Sequence, residues 1–131
     1  MKKFLLIFAA LFLVVTLAAC ASPGYTNIDN DELREMMADK EANYYFIDVR
    51  TRAEYDEEHI EGFNLLIDQY ILEDDQTILD ELDTSRPVVI MCNSGNRSVD
   101  ASNIFLDYGF AEVYNLEDGI QGWDGTTTAD N

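Results

Sequence analysis

Histidine is almost missing from this 131-residue chain, where His59 stands alone. A single imidazole excludes a multi-histidine metal centre, and nothing around His59 resembles a zinc, haem or nucleotide site. Cysteine is nearly as scarce. Cys20 and Cys92 are the only two, too few for a disulfide framework. Positive charge is thin as well: eight Lys and Arg face 26 Asp and Glu, for a formal net charge of −18. That balance excludes nucleic acid and an anionic membrane surface as partners. It also sets an unfavourable long-range field against free anions. The acids are scattered and lack a calcium-loop pattern, so no metal and no cofactor is expected. There is no internal repeat and no low-complexity segment, and the length allows one domain.

The N-terminus stands apart. Lys2-Lys3 form a basic start, residues 4–17 are apolar apart from Thr16, and the run ends in small side chains. The run is short and reads as a secretory signal rather than a spanning helix, with an uncleaved N-terminal anchor as the rival reading. Leu17-Ala18-Ala19-Cys20 resembles the lipobox of bacterial lipoproteins. The resemblance implies cleavage before Cys20, with 1–19 as the signal peptide, a lipid on Cys20, and 20–25 as a short tether. Multiple acyl chains anchor far more firmly than one. The expected place is the cell envelope, on the extracytoplasmic side and anchored in a membrane. Because Ala21 rather than aspartate follows the cysteine, the resemblance favours the outer membrane where there is one.

Beyond the tether, strand and helix signals alternate. Residues 25–28 read as an edge strand. Asp29 and Glu32 form a capping box for a helix to about residue 40, with Leu33, Met36 and Met37 inward. Tyr44-Tyr45-Phe46-Ile47-Asp48-Val49 is a β-prone central strand ending at Arg50. Thr51 and Glu54 repeat the capping-box pattern for a short helix, and residues 59–62 turn into a strand at 63–67. Tyr70-Ile71-Leu72 adds apolar bulk without an assigned element. Residues 75–82 are expected to be helical with Ile78, Leu79 and Leu82 inward. A strand at 88–91, a helix at 97–108 stopped by Gly109, and a strand at 110–116 follow. Residues 118–123 are expected to form a compact turn or short helix with Trp123 in a packing role, and the polar end is expected to fray. The domain therefore spans 26–125, with 126–131 as a tail. The pattern predicts a three-layer α/β domain with a mostly parallel central sheet flanked by helices.

The chemistry concentrates in Cys92-Asn93-Ser94-Gly95-Asn96-Arg97-Ser98. A buried strand, a tight loop and a helix N-terminus set one thiol at the mouth of a nest of backbone N–H groups. Such a nest binds anions and favours a thiolate. Gly95 supplies a left-handed or close-approach backbone, Asn93, Ser94 and Asn96 complete the loop, and Arg97 adds a cation fork. A cation is disfavoured at a helix N-terminus, which argues for a bound anion there. Ser98 is open to two roles, a hydroxyl toward the sulfur or a helix starter. Asp48 and Arg50 end the neighbouring strand, where α/β sheets carry their sites. They are expected to brace the loop, with Arg50 free to pair with Glu54. His59 lies in the turn at 59–62. Residue types alone leave two reactions open, sulfur transfer through a persulfide and phosphate-ester hydrolysis through a phosphocysteine. Both need anion-binding amides and an arginine.

Residues 44–123 resemble a single-domain rhodanese of the sulfurtransferase family. The resemblance rests on Ile47-Asp48-Val49-Arg50, Glu54-Tyr55, His59-Ile60-x-Gly62, Cys92-x-x-Gly95-x-Arg97-Ser98, Gly109-Phe110 and Val113-Tyr114-Asn115-Leu116-x-x-Gly119-Ile120-x-x-Trp123. It implies that Cys92 carries the persulfide, that Arg97 closes the loop and that His59 has a structural role in its turn. The loop runs six residues from Cys92 to Arg97. In the family this length goes with sulfur substrates, whereas related phosphatases carry one residue more. The implied partners are a small sulfur anion or persulfide donor, a thiol or cyanide-like acceptor, and a redox partner protein. A non-catalytic redox-sensing or partner-binding module is the rival expectation. The chain departs from the family pattern at Glu61 and Phe63, where proline and alanine are usual, and in the neutral side chains ahead of Arg97.

Overall fold

The computed structural model describes residues 24–130; the expected signal peptide and the expected lipid site at Cys20 lie outside them. The elements in chain order are β1 (Tyr25–Ile28), α1 (Asn30–Ala38), β2 (Tyr45–Asp48), α2 (Arg52–Glu57), β3 (His59–Ile60), β4 (Leu65–Leu66) and α3 (Gln69–Asp74). A 3₁₀ turn follows at Gln76–Glu81, then β5 (Val88–Met91), α4 (Asn96–Tyr108), β6 (Val113–Leu116), a second 3₁₀ turn at Ile120–Gly122, and β7 (Thr127–Thr128). Five strands form one parallel sheet in the order β1-β6-β5-β2-β4. Helices flank it, as the three-layer α/β expectation requires.

The central strand β5 is buried along its whole length. A parallel sheet is covered on both faces, which is why Val88-Val89-Ile90-Met91 reads as an unbroken apolar run. The pleat sends alternate residues to opposite layers. Val88, Ile90 and Cys92 join one core with Ile47, Val49, Ala101, Phe105 and Phe110. Val89 and Met91 join the other, with Ile28, Leu33, Ile60, Phe63 and Leu116. Cys92 thus continues the face that α4 covers.

Both capping boxes form. Asp29 Oδ1 accepts the Glu32 N–H at 2.9 Å while Glu32 returns a carboxylate to the Asp29 N–H. Thr51 and Glu54 do the same at the start of α2. Phe63 is fully buried, edge-on to Phe46 with centroids 5.5 Å apart, so the core makes room for the larger ring.

Three expectations need correction, and one stretch left open gains an element. The unassigned stretch at 70–72 lies in α3, whose Leu72 is buried while Tyr70 and Ile71 are exposed; that mixed face hides the helical period. Residues 76–81 wind as a 3₁₀ turn started by Asp75, which accepts the Thr77 N–H and hydroxyl. Three residues per turn bury Leu79 and leave Ile78 42% exposed, so Ile78 does not point inward. Only Leu65 and Leu66 of 63–67 are strand residues, because Phe63 is held in a turn by its N–H bond to the Ile60 carbonyl. The C-terminal stretch is tied down through Asp130, the last described residue, rather than frayed. Thr127–Thr128 pairs antiparallel with β3, Thr127 Oγ1 donates to Glu58, and the Asp130 N–H donates to the Asp56 carbonyl.

Candidate functional site

The site is built where β5 stops. Past Met91 the chain turns through Cys92, Asn93, Ser94 and Gly95 into α4. Gly95 is the helix N-cap, with φ of 95° in the left-handed region. A side chain there is doubly forbidden, by that φ and because its Cβ would collide with the Glu117 carbonyl oxygen. The sharp reversal aims the Gly95 N–H back at Cys92 Sγ, 3.1 Å away. The Cys92 thiol donates in turn to Ser98 Oγ at 3.3 Å, and Ser98 is fully buried one turn into α4. Ser98 therefore contacts the sulfur and belongs to the start of α4 at once. Cys92 is unpaired and only 1% exposed. Asn93 is half-buried, and Ser94 and Asn96 are exposed at the rim.

The loop is held from behind by a segment that sequence reasoning assigned no role at the site. The Ile120 N–H donates to the Cys92 carbonyl at 2.9 Å and the Gln121 N–H to the Asn93 carbonyl at 3.0 Å. Gly119 makes the approach possible. Its φ is 59°, and a Cβ would strike the Asn93 and Cys92 carbonyls. The spacing Gly119-Ile120-x-x-Trp123 was the signal, legible only as a family pattern and not as a buttress.

Two arginine–carboxylate pairs flank the loop. Arg97 Nη1 and Nη2 donate to Glu54 Oε2 and Oε1, each at 2.8 Å, in a parallel fork. Glu54 Oε2 also accepts from the Thr51 N–H and hydroxyl. The Arg97 bond above all, with help from Thr51, holds the Glu54 carboxyl down at about 2, against the opposing effect of burial. Glu54 in turn raises the Arg97 guanidinium. One strand over, Arg50 wraps onto Asp48. Its Nε lies 3.0 Å from Oδ1 and 3.1 Å from Oδ2, its Nη2 2.7 Å from Oδ2, and its backbone N–H donates to Oδ1 at 2.9 Å. Arg50 Nη2 also donates to the Glu58 carbonyl at 2.6 Å, tying the end of β2 to the end of α2. The Arg50–Glu54 pair that the sequence left open does not form. Glu54 sits at the third position of α2, turned toward Thr51 and Arg97, while Asp48 lies two residues from Arg50 in the same buried corner.

The structure thus gathers Cys92, Gly95 and Ser98 at the sulfur, Arg97 beside them with Glu54, and Asp48–Arg50 at the adjacent strand end. His59 is engaged elsewhere. Its Nδ1 bonds the Tyr55 carbonyl at 2.8 Å and its ring stacks on Tyr55 at 3.8 Å. A cavity of about 330 Å³ borders the loop, lined by Arg50, Glu54, Glu57, Glu58, Asn93, Ile120 and Gln121. A larger groove of about 460 Å³ beside Arg34, Met37 and Trp123 includes no residue of the loop. Among the described residues, no group of three His, Cys, Asp or Glu is placed to hold a metal ion. Chemically, the corner presents one sulfur nucleophile with a fixed N–H aimed at it.

The pattern of the rhodanese-like domain matches residues 29–126, most of the chain. The protein belongs to the rhodanese-like domain family, within the sulfurtransferase superfamily. Solved structures agree on the fold. A rhodanese-related protein from Thermoplasma volcanium is 24% identical, with a TM-score of 0.66 over 79% of this chain and 98% of that one. A rhodanese-like domain protein from Staphylococcus aureus is 23% identical, with a TM-score of 0.67 over 81% and 99%. A rhodanese with anions from E. coli is 25% identical, with a TM-score of 0.56 over 66% and 98%.

Proposed function

We propose that the protein is a sulfurtransferase that carries sulfane sulfur on Cys92. The observation that carries the reading is Cys92 Sγ seated in a six-residue loop with the Gly95 N–H 3.1 Å from it. In the first half-reaction the Cys92 thiolate attacks the outer sulfur of a donor S–X. A new S–S bond forms, the S–X bond breaks, and X leaves with its electron pair. A negative charge then rests on the sulfane sulfur, where the loop N–H groups and the start of α4 favour it. In the second half-reaction a thiolate or cyanide takes that sulfur and releases the Cys92 thiolate. The donor is thiosulfate, a polysulfide, a persulfide or a persulfidated partner protein. The lipobox-like leader supports a lipid anchor at Cys20 and a place on the extracytoplasmic side of a membrane.

The test is cyanide-dependent thiocyanate formation from polysulfide and from thiosulfate, with Cys92→Ala beside the parent protein. The expected result is turnover with the parent and none with the variant. Reversible Cys92 oxidation without turnover would favour a redox-sensing module, and vanadate-sensitive hydrolysis of aryl phosphates a phosphatase; either would overturn the proposal.

A further inference from the structure

Among the described residues, the large apolar side chains stay out of solvent with one concentrated exception. Tyr70, Ile71 and Ile78 are 60%, 56% and 42% exposed, and all three lie on α3 and the 3₁₀ turn that follows it. The fold does not need them, because the same two elements already give Leu72 and Leu79 to the core, both fully buried. Single exposed apolar residues are ordinary, whereas several on one short outer face mark an interaction surface. The charge along this stretch has one sign. Glu73, Asp74, Asp75, Asp80 and Glu81 are exposed, and no Lys or Arg occurs between Arg52 and Arg86. None of the ion pairs among the described residues uses one of these carboxylates. The face also borders the site. The Ile67 and Gln69 N–H groups donate to the Asp48 and Val49 carbonyls at 3.0 Å, and the Val49 N–H donates to the Met91 carbonyl at 2.9 Å. The start of α3 is thereby tied to the sheet edge that carries Cys92. α3 packs against α4, the helix that carries Arg97. The Arg97 guanidinium is raised first by Glu54 and more weakly by Cys92 and the Tyr70 phenol, so Tyr70 stands within electrostatic reach of it.

We propose that the outer face of α3 and the 3₁₀ turn is the docking surface for a protein that takes sulfur from Cys92, and that this partner presents an apolar segment flanked by Lys or Arg. The inference rests on the sulfurtransferase reading and specifies its acceptor. Charge complementarity selects this occupant. A second copy of the chain would set the same carboxylates against each other, and an anionic membrane is repelled by them. A basic partner pairs its cations with the acidic fringe and covers Tyr70, Ile71 and Ile78 with its apolar centre, as an interface core sits inside a polar rim. Cys92 is only 1% exposed, so an acceptor thiol gains from being held at the loop mouth by a face beside it. The transfer itself is redox-neutral. The acceptor thiolate RS⁻ attacks the outer sulfur of Cys92–S–SH, the R–S–SH bond forms, the Cys92 S–S bond breaks, and its electron pair leaves on Cys92 as thiolate.

The probes are synthetic peptides that carry one cysteine after a Gly-Gly spacer and differ only in the head, Lys-Leu-Leu-Lys, Glu-Leu-Leu-Glu or Lys-Ser-Ser-Lys. Cys92 is first loaded with polysulfide, and the loading is read by intact mass. Discharge is then followed in a single turnover for the parent protein and for Ile71→Ser with Ile78→Ser. Each rate is divided by the same protein's rate with cyanide, which is too small to span the face. Comparing one peptide across the two proteins cancels the reactivity of its thiol. The Lys-Leu-Leu-Lys peptide is expected to lose about tenfold on the double variant, and the other two less than about twofold. Its advantage on the parent shrinks as salt is added. Asp74→Asn with Glu81→Gln, which leaves the apolar side chains in place, lowers its rate by about threefold. An equal loss for all heads, or no loss from either double variant, would overturn the inference and leave the sulfurtransferase reading standing. So would a parent that dimerises with concentration in sedimentation while the isoleucine variant does not, since a second copy would then cover the face. Failure of Cys92 to load at all would overturn both.

Discussion

The two arginine–carboxylate pairs at the strand ends look alike on paper and differ in kind. Asp48 and Arg50 are almost wholly buried, with side chains 0% and 5% exposed, and they sit two residues apart on one strand end. Glu54 and Arg97 are 34% and 22% exposed and join α2 to α4 across 43 residues of chain. The first pair is enclosed, with four contacts between its members and a fifth to the Glu58 carbonyl. It fixes the corner where β2 hands over to α2. The second lies beside the reactive loop, within reach of solvent, and holds a cation where a helix N-terminus disfavours one. One pair belongs to the scaffold and the other to the site, although both use the same chemistry at 2.7–2.8 Å.

That contrast can be broken from the buried side first. Removing one partner of a buried ion pair strands the other charge in a medium that cannot solvate it. Asp48→Ala is expected to cost about 3–5 kcal/mol of folding stability, read from the denaturant midpoint of the purified protein. Glu54→Ala should cost less than about 1 kcal/mol, since the pair it breaks is part-exposed and screened. Equal losses from the two substitutions would erase the distinction.

The loop between the pairs supplies the next effect. Gly95→Ala forces a side chain into a φ of 95° and toward the Glu117 carbonyl. A loss of about 2 kcal/mol is expected, together with slower persulfide formation, because the N–H that points at Cys92 Sγ must move. A variant with parental stability and parental rate would contradict the role given to this turn.

A pH scan sharpens the exposed pair. The Glu54 carboxyl is lowered from 4.5 to about 2 in the folded protein. A depressed carboxyl binds its proton more weakly when folded, so its stabilising contribution is complete above pH 4.5 and is lost as the pH falls toward about 2. Glu54→Gln should therefore lower stability in the neutral range, where the contribution is complete, and the gap to the parent should close as the pH falls from 4.5 toward about 2, flattening the acid limb. An identical acid limb in parent and variant would count against the Arg97–Glu54 fork. A further variant at the sulfur is Ser98→Ala. It removes the hydroxyl 3.3 Å from Cys92 Sγ and should lower stability by about 1 kcal/mol.

The same contrast explains what could be read from sequence. Local chemistry was legible. Asp29 with Glu32, and Thr51 with Glu54, announce helix starts because a capping box is complete within four residues. Val88-Val89-Ile90-Met91 announces a buried strand because nothing polar interrupts it. Gly95 before a helical period announces the loop that holds Cys92. Long-range pairing was not legible. Glu54 satisfies its capping role with Thr51, so nothing local marks its second engagement with Arg97, and Arg50, four residues away, was the partner the sequence offered. The two-residue strands β3 and β7 carry no period of their own and exist through each other. The buttress of Gly119, Ile120 and Gln121 acts through backbone atoms, which side-chain chemistry does not advertise. The exposed Tyr70 and Ile71 masked α3 for the opposite reason, by placing apolar side chains on the outer face.

The most direct measurement is the intact mass of the purified protein after polysulfide treatment, with peptide mapping and a Cys92→Ala control. Reversible gain of about 32 Da, one sulfur, confined to the peptide bearing Cys92, removed by cyanide and missing from the variant, is the predicted result. A parent protein that keeps its mass through the treatment, or that takes up sulfur equally well without Cys92, would contradict it.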